Sequence, residues 1–226
     1  MKRNLLYYIY PVRNSIWEWN VRMLMKYIHV FNHKIIVSIA VDSNTDHPDT
    51  VKKAFDVPAQ FFVGPNDPKT GEIRAFPNAL SHVRSIDSEE ITFYAHAKGV
   101  VRAKKKPLEA PNIRAWIEAM YRLNLGHPDD IEKILRLYSA TGAFLREVPN
   151  HGGSNWHFAG TFFWFRNYDI FRRNWRNIAP NYYGVEGWIG KHISKSRAFS
   201  LFDTPRNMYA TRLDASEYRN LPWITP

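Results

Sequence analysis

The chain of 226 residues contains no cysteine, which excludes disulfides, thiolate metal sites and a cysteine nucleophile. With 45% hydrophobic and 15% aromatic residues it can build a core, which excludes a disordered chain. Its formal net charge of +10 suits three kinds of partner: nucleic acid, an anionic membrane face or phosphorylated small molecules.

No Pro/Gly/Ser-rich linker and no internal repeat divides the sequence, so a single domain over 1–226 is expected. Residues 4–10 (NLLYYIY) predict a first strand closed by Pro11. Their apolar run of about six residues is too short for a signal peptide or a membrane span. No later run approaches membrane-span length, and a soluble, cytoplasmic protein is expected. Residues 16–32 carry apolar side chains at Trp17, Val21, Leu24, Ile28 and Phe31, the spacing of an amphipathic helix, with Asn14 or Ser15 as its cap. The β-branched run 34–41 predicts the next strand, which completes a right-handed βαβ unit. Asp42 stands at its carboxyl end, where a carboxylate holds ribose hydroxyls or a base edge, or else caps the helix after Pro48. No Gly-x-Gly-x-x-Gly follows the first strand, so a dinucleotide site is not supported.

Residues 49–56 predict a short helix, 59–63 a strand, 64–68 a turn, 65–77 a polar loop and 78–87 a helix. Residues 91–96 are apolar, β-branched and aromatic, as in the central strand of a parallel sheet, and switch at once to His96, Lys98 and Gly99. That edge suits an anion, or is a solvated basic turn. The alternation to this point is that of an α/β fold, a mostly parallel sheet with helices on both faces. Arg102 opens the densest cationic run, 102–106 (RAKKK), in an expected loop over 100–111 that is mobile or ordered by an anion. Helices over 112–125 and 129–138, a strand over 140–145 and a glycine-rich turn over 151–155 follow. The stretch 156–166 (WHFAGTFFWFR) predicts one aromatic strand in which Gly160 marks a close approach. Glu186 lies among glycines and aromatics in YYGVEGWIG. It is either a surface residue at a helix start or a carboxylate whose pKa is raised by desolvation, as suits a general base. A short strand over 198–202 and an irregular tail over the sheet edge complete the chain.

Two segments carry a resemblance. Tyr94-Ala95-His96-Ala97-Lys98-Gly99 and His157-Phe158-Ala159-Gly160-Thr161-Phe162-Phe163-Trp164 are similar to the paired motifs of a group of glycosyltransferases of the GT-A fold. The resemblance spans roughly 4–195. It implies one Rossmann-like nucleotide-sugar domain, with a nucleotide-binding half at about 1–110, an acceptor half at about 111–200 and a tail over 201–226. The implied activity moves a sugar from a nucleoside diphosphate to a glycan or other hydroxyl acceptor, with inversion. Asp42 would sit near the nucleoside, with His96, Lys98, Gly99 and Arg102 on the donor side. Gly160 and Thr161 would floor the sugar pocket, His157, Trp164 and Trp188 would hold the acceptor ring, and Glu186 would take the acceptor's proton. Members of this fold usually hold a metal through an Asp-x-Asp pair at the end of the central strand, where His96-Ala97-Lys98 stands here. The expectation is therefore open between Mn²⁺ or Mg²⁺ held by His96 with Asp42 or another carboxylate, and a metal-free site in which Lys98 steadies the diphosphate. The loop 100–111 would close over the donor. A non-catalytic sugar or nucleotide-sugar binding module is the alternative. Nucleic acid is not expected, because the cations are not interleaved with exposed aromatics on a recognisable module. Contact with a membrane surface stays open.

Overall fold

The computed structural model describes residues 1–219 and 221. The β-branched and aromatic runs of the first half become four parallel strands, β1 (Lys2–Ile9), β2 (Ile35–Val41), β3 (Gln60–Pro65) and β4 (Glu90–His96). The helices α1 (Trp17–Met25), α2 (Pro48–Lys53) and α3 (Phe76–His82) join them, so the predicted alternation is present. Next come α4 (Val100–Lys105), α5 (Ala110–Leu125), α6 (Pro128–Leu137) and β5 (Ala140–Gly142). A ribbon of β6 (Leu145–His151) and β7 (Ser154–Phe158) follows, then β8 (Phe163–Arg166), α7 (Asn167–Phe171), α8 (Gly184–His192), β9 (Ala198–Ser200) and α9 (Ser216–Arg219). The main sheet has the order β3-β2-β1-β4-β8-β5-β9, with only β8 antiparallel to its neighbours.

From Asn4 to Ile9 every side chain of β1 is buried, because helices cover both faces. Leu5, Tyr7 and Ile9 pack with Trp17 and Val21 of α1 and Ile113 and Ile117 of α5. Leu6 and Tyr8 pack on the other face with Phe76 of α3 and Trp188 of α8. A strand buried on both faces reads as a continuous apolar run, which is why this region was legible as a parallel sheet. The strand order reverses at β1: β2 and β3 follow on one side and β4 lies on the other. Open α/β sheets bind ligands outside the carboxyl ends at such a reversal. Here that crevice lies beyond Tyr8 and its partner His96.

Several expectations change. The helix predicted over 16–32 stops at Met25 and resumes only as a 3-10 turn, Ile28–Val30, because the chain must bend to enter β2. It begins without a side-chain cap: Asn14 has a positive φ of 55° and Ile16 holds the cap position. The strand predicted over 140–145 ends at Gly142, since Phe144 (φ 62°) turns the chain out of the main sheet towards β6. The single strand predicted over 156–166 is two strands in two sheets, broken at Gly160 (φ 93°) and Thr161 (φ 62°). The stretch 100–111 is not an open loop but α4 and a 3-10 turn, Pro107–Glu109, closed by Arg102 Nε donating to Glu109 at 2.5 Å. The tail starts beside β5, then crosses α5, where Asn112 donates to the Tyr209 carbonyl at 2.9 Å. Residues 220 and 222–226 of the predicted tail lie outside the described residues. No helix among the described residues is long and apolar enough to cross a membrane.

Candidate functional site

β4 delivers His96 to the crevice. His96 Nδ1 and the Tyr94 hydroxyl both donate to the carboxylate of Glu72. Glu72 arrives on a 3-10 turn, Gly71–Arg74, within the stretch expected to be plain loop. His96 Nε2 is buried without a partner. Gly99 (φ 75°) turns the chain into α4, and a Cβ there would come within 2.5 Å of Ile113, so the expected sharp turn does need glycine. The turn holds Lys98 half-buried, its Nζ 4.6 Å from the centre of the Trp116 ring. Among the described residues it has no carboxylate at salt-bridge distance.

Glu186 lies in the first turn of α8, where unpaired helix N–H groups favour a negative charge. Its Oε2 accepts from His151 Nε2 at 2.9 Å and its Oε1 from the Gly160 N–H at 3.0 Å. Gly160 is required: a Cβ would meet Met120 Sδ at 2.5 Å, the Trp116 ring at 3.2 Å and Lys98 Cε at 3.3 Å. Its missing side chain thus lets Lys98 and Glu186 share one small space. Burial pushes the Glu186 carboxyl up, as expected. The His151 bond, the Lys98 charge, His157 and the Gly160 N–H outweigh burial and hold it at about 2. The expected raised pKa is therefore corrected: near neutral pH Glu186 is a fixed anion. His157 stacks on His151 with ring centres 4.0 Å apart. It is buried and its Nδ1 has no partner. Burial drives its pKa down to about 4 against the pull of Glu186.

Asp42 is exposed and accepts from the Tyr10 hydroxyl (2.5 Å), the Asn44 N–H (2.7 Å) and the Asn66 amide (3.0 Å). Slight burial pushes its carboxyl up, and these donors bring it below its ordinary value. The cap of α2 is His47, so Asp42 is not that helix's cap. Asn66 follows Pro65, which lines a cleft of about 170 Å³ together with Tyr8, Ser38, Gly71 and Asn78. Ser38 Oγ in this cleft has no partner. Gly71 of the cleft precedes Glu72, which is bonded to His96; Tyr182 senses the charges of both Glu72 and Lys98, and Lys98 acts on Glu186, the partner of His151.

Trp164 and Trp188, expected to hold an acceptor ring, are core residues with 0% exposure. Their indole N–H groups donate to the carbonyls of Asn124 (2.9 Å) and Trp175 (2.8 Å). Thr161 is buried and shapes the turn after β7; it lines neither of the two clefts described for this molecule. Arg102 is held by Glu109 and stacks 3.6 Å over Tyr209, away from the expected donor role. His96 and Asp42 are bonded to different partners and do not form a joint ligand set. Among the described residues, His151, His157 and Glu186 are the group of metal-ligand type that the fold assembles, with ligand atoms within 4.8 Å of one another. Sequence reasoning missed Glu72 and His151. His151 was visible only as the start of a glycine turn, and Glu72 lies in a polar stretch without pattern.

No family model matches the chain, and no curated protein matches it. Among solved structures, a proposed nucleotide-diphospho-sugar transferase from Desulfovibrio desulfuricans G20 is similar over 89% of this chain and 80% of its own, at 13% identity and a TM-score of 0.39.

Proposed function

We propose that the protein transfers a sugar from a nucleoside-diphosphate donor to a hydroxyl acceptor, in the manner of the GT-A enzymes its motifs resemble. The observation that carries this reading is the line of polar groups from the cleft beside Asp42 to the Glu186–His151 pair, at the reversal of strand order. The nucleoside occupies the cleft, with Asp42 accepting from ribose hydroxyls. Lys98 faces the diphosphate as a point charge. The acceptor hydroxyl lies against His151 and gives its proton to Nδ1, the ring nitrogen left free by the Nε2–H bond to Glu186. The acceptor oxygen attacks the anomeric carbon, the bond from that carbon to the diphosphate oxygen breaks, and its electron pair leaves with the diphosphate, whose charge Lys98 offsets. Direct displacement inverts the anomeric centre. Glu186 fixes the tautomer and orientation of His151, the part a buried carboxylate plays beside a histidine base.

The end of β4 does not fit the metal site usual in this fold. Mg²⁺ and Mn²⁺ take oxygen ligands in number. The carboxylate bonded there, Glu72, is engaged by Tyr94 and His96, and Lys98 brings a positive charge.

Release of nucleotide from UDP-, GDP- and dTDP-sugars, with Mn²⁺ and with EDTA, tests the reading. Turnover that survives EDTA is expected. Turnover only with metal removes the role given to Lys98. Binding without transfer is the second reading, favoured by the tight hold of two donors on Glu186; it predicts thermal stabilisation by a donor and no turnover with any acceptor. No response to any donor overturns both.

A further inference from the structure

A second cleft of about 190 Å³ adjoins the site and has no part in the transfer chemistry above. Trp116, Arg146, Ala159, Arg206, Asn207 and Tyr209 line it, and no acidic side chain among the described residues does. Trp116 is 5% exposed and its indole N–H has no hydrogen-bond partner. Arg146 donates to the carbonyls of Leu145 (3.2 Å) and Thr204, and among the described residues it has no carboxylate partner. Arg206 differs, because Glu217 matches its charge at 2.7 Å. The cleft therefore has an unmatched guanidinium in its lining, and Trp116, which also lines it, keeps a buried indole N–H without an acceptor. A buried donor left unpaired is costly, and an oxygen anion is the ligand type that both groups would take. The cleft shares its walls with the site: Lys98 lies over the Trp116 ring, Ala159 precedes Gly160, and the charge of Arg146 reaches His157.

We propose that this cleft binds an anionic group, a carboxylate or a phosphate, carried by the acceptor, so that the acceptor is an acidic sugar or a sugar phosphate. Its assignment to the acceptor rests on the transferase reading; the anion site does not. Methyl β-glucuronide, glucose 6-phosphate and methyl β-glucoside are titrated into the full chain by ligand-observed NMR, with and without saturating UDP. One of the two anions should bind about tenfold or more tighter than the neutral glucoside, with UDP bound at the same time. The tighter anion names the source, carboxylate or phosphate. Arg146→Gln should abolish the preference. Arg146 also ties β6 to the tail through Thr204, so Trp116→Phe, which loses the N–H and keeps an aromatic ring, is the second variant and should weaken the anion about threefold or more. Equal binding of charged and neutral probes overturns the proposal, as does an undiminished preference in a folded Arg146→Gln protein. Displacement of the anion by UDP overturns it too, since the cleft then belongs to the donor diphosphate. Anion preference in a protein that never binds UDP keeps the anion site and overturns its reading as an acceptor subsite.

Discussion

Burial alone would lift the Glu186 carboxyl, yet His151, Lys98 and the Gly160 N–H together hold it at about 2. A carboxylate that low is a poor proton acceptor, but a good fixed charge for orienting an imidazole. Glu186→Gln should therefore lower the rate of transfer by about 100-fold or more and leave nucleotide affinity unchanged, because the amide oxygen can still accept from Gly160. Equal turnover by this variant and the native protein would remove Glu186 from the mechanism. The value of about 2 also separates Glu186 from any loss of activity between pH 6 and 4: the group stays ionised throughout. At Gly160 the argument is steric. Alanine would have to adopt a φ of 93° and displace Met120, so Gly160→Ala should cost roughly 1–3 kcal/mol in urea unfolding. Gly160 and Glu186 were legible because each stood in a distinctive local pattern. Glu72 was not, since its role comes from a turn that brings it across to β4.

The helices and parallel strands of the first half were legible because burial on one face or two leaves a period in the sequence. The breaks in the second half were not. Phe144 and Thr161 take positive φ without being glycine, and neither residue type marks such a position in a sequence. Trp164 and Trp188 were expected to hold an acceptor ring; β8 instead runs between β4 and β5, and both tryptophans fill the core. Trp188→Ala should accordingly cost about 3–5 kcal/mol of stability. A variant that keeps its unfolding midpoint but loses acceptor binding would return Trp188 to the pocket. The cationic stretch 100–111 misled in the other direction. It is a helix and a 3-10 turn in which Arg102 is held by Glu109 and Tyr209. Limited proteolysis should thus be slow there even without nucleotide, and Tyr209→Ala should speed cleavage. Rapid cleavage of the native chain, suppressed by UDP, would restore the lid.

The alternation visible in the first half of the sequence foretold a mostly parallel sheet; the strand order and its reversal at β1 came with the structure. The energetics of the assembled molecule depend on what that packing buries. His157 and His192 are both buried, and burial pushes each from 6.5 down to about 4. Below pH 6.5 the unfolded chain takes up protons that the folded chain refuses, so stability falls as the pH drops from 6.5 to 4 and then levels for these two groups. A shift of that size corresponds to about 3 kcal/mol per histidine, against a typical total of roughly 5–15 kcal/mol. Glu186 acts in the adjoining window: its stabilising charge is complete above 4.5 and is lost as the pH falls towards 2. Loss of carboxylate charge on a chain already at +10 adds repulsion in the same direction, so the fall by itself does not identify its source. His192→Gln separates the contributions. It removes one of the two buried-histidine titrations while leaving the net charge near pH 7 unchanged, so the slope of the urea midpoint between pH 6.5 and 4 should become shallower. An unchanged slope would mean that the His192 titration does not contribute to the acid sensitivity.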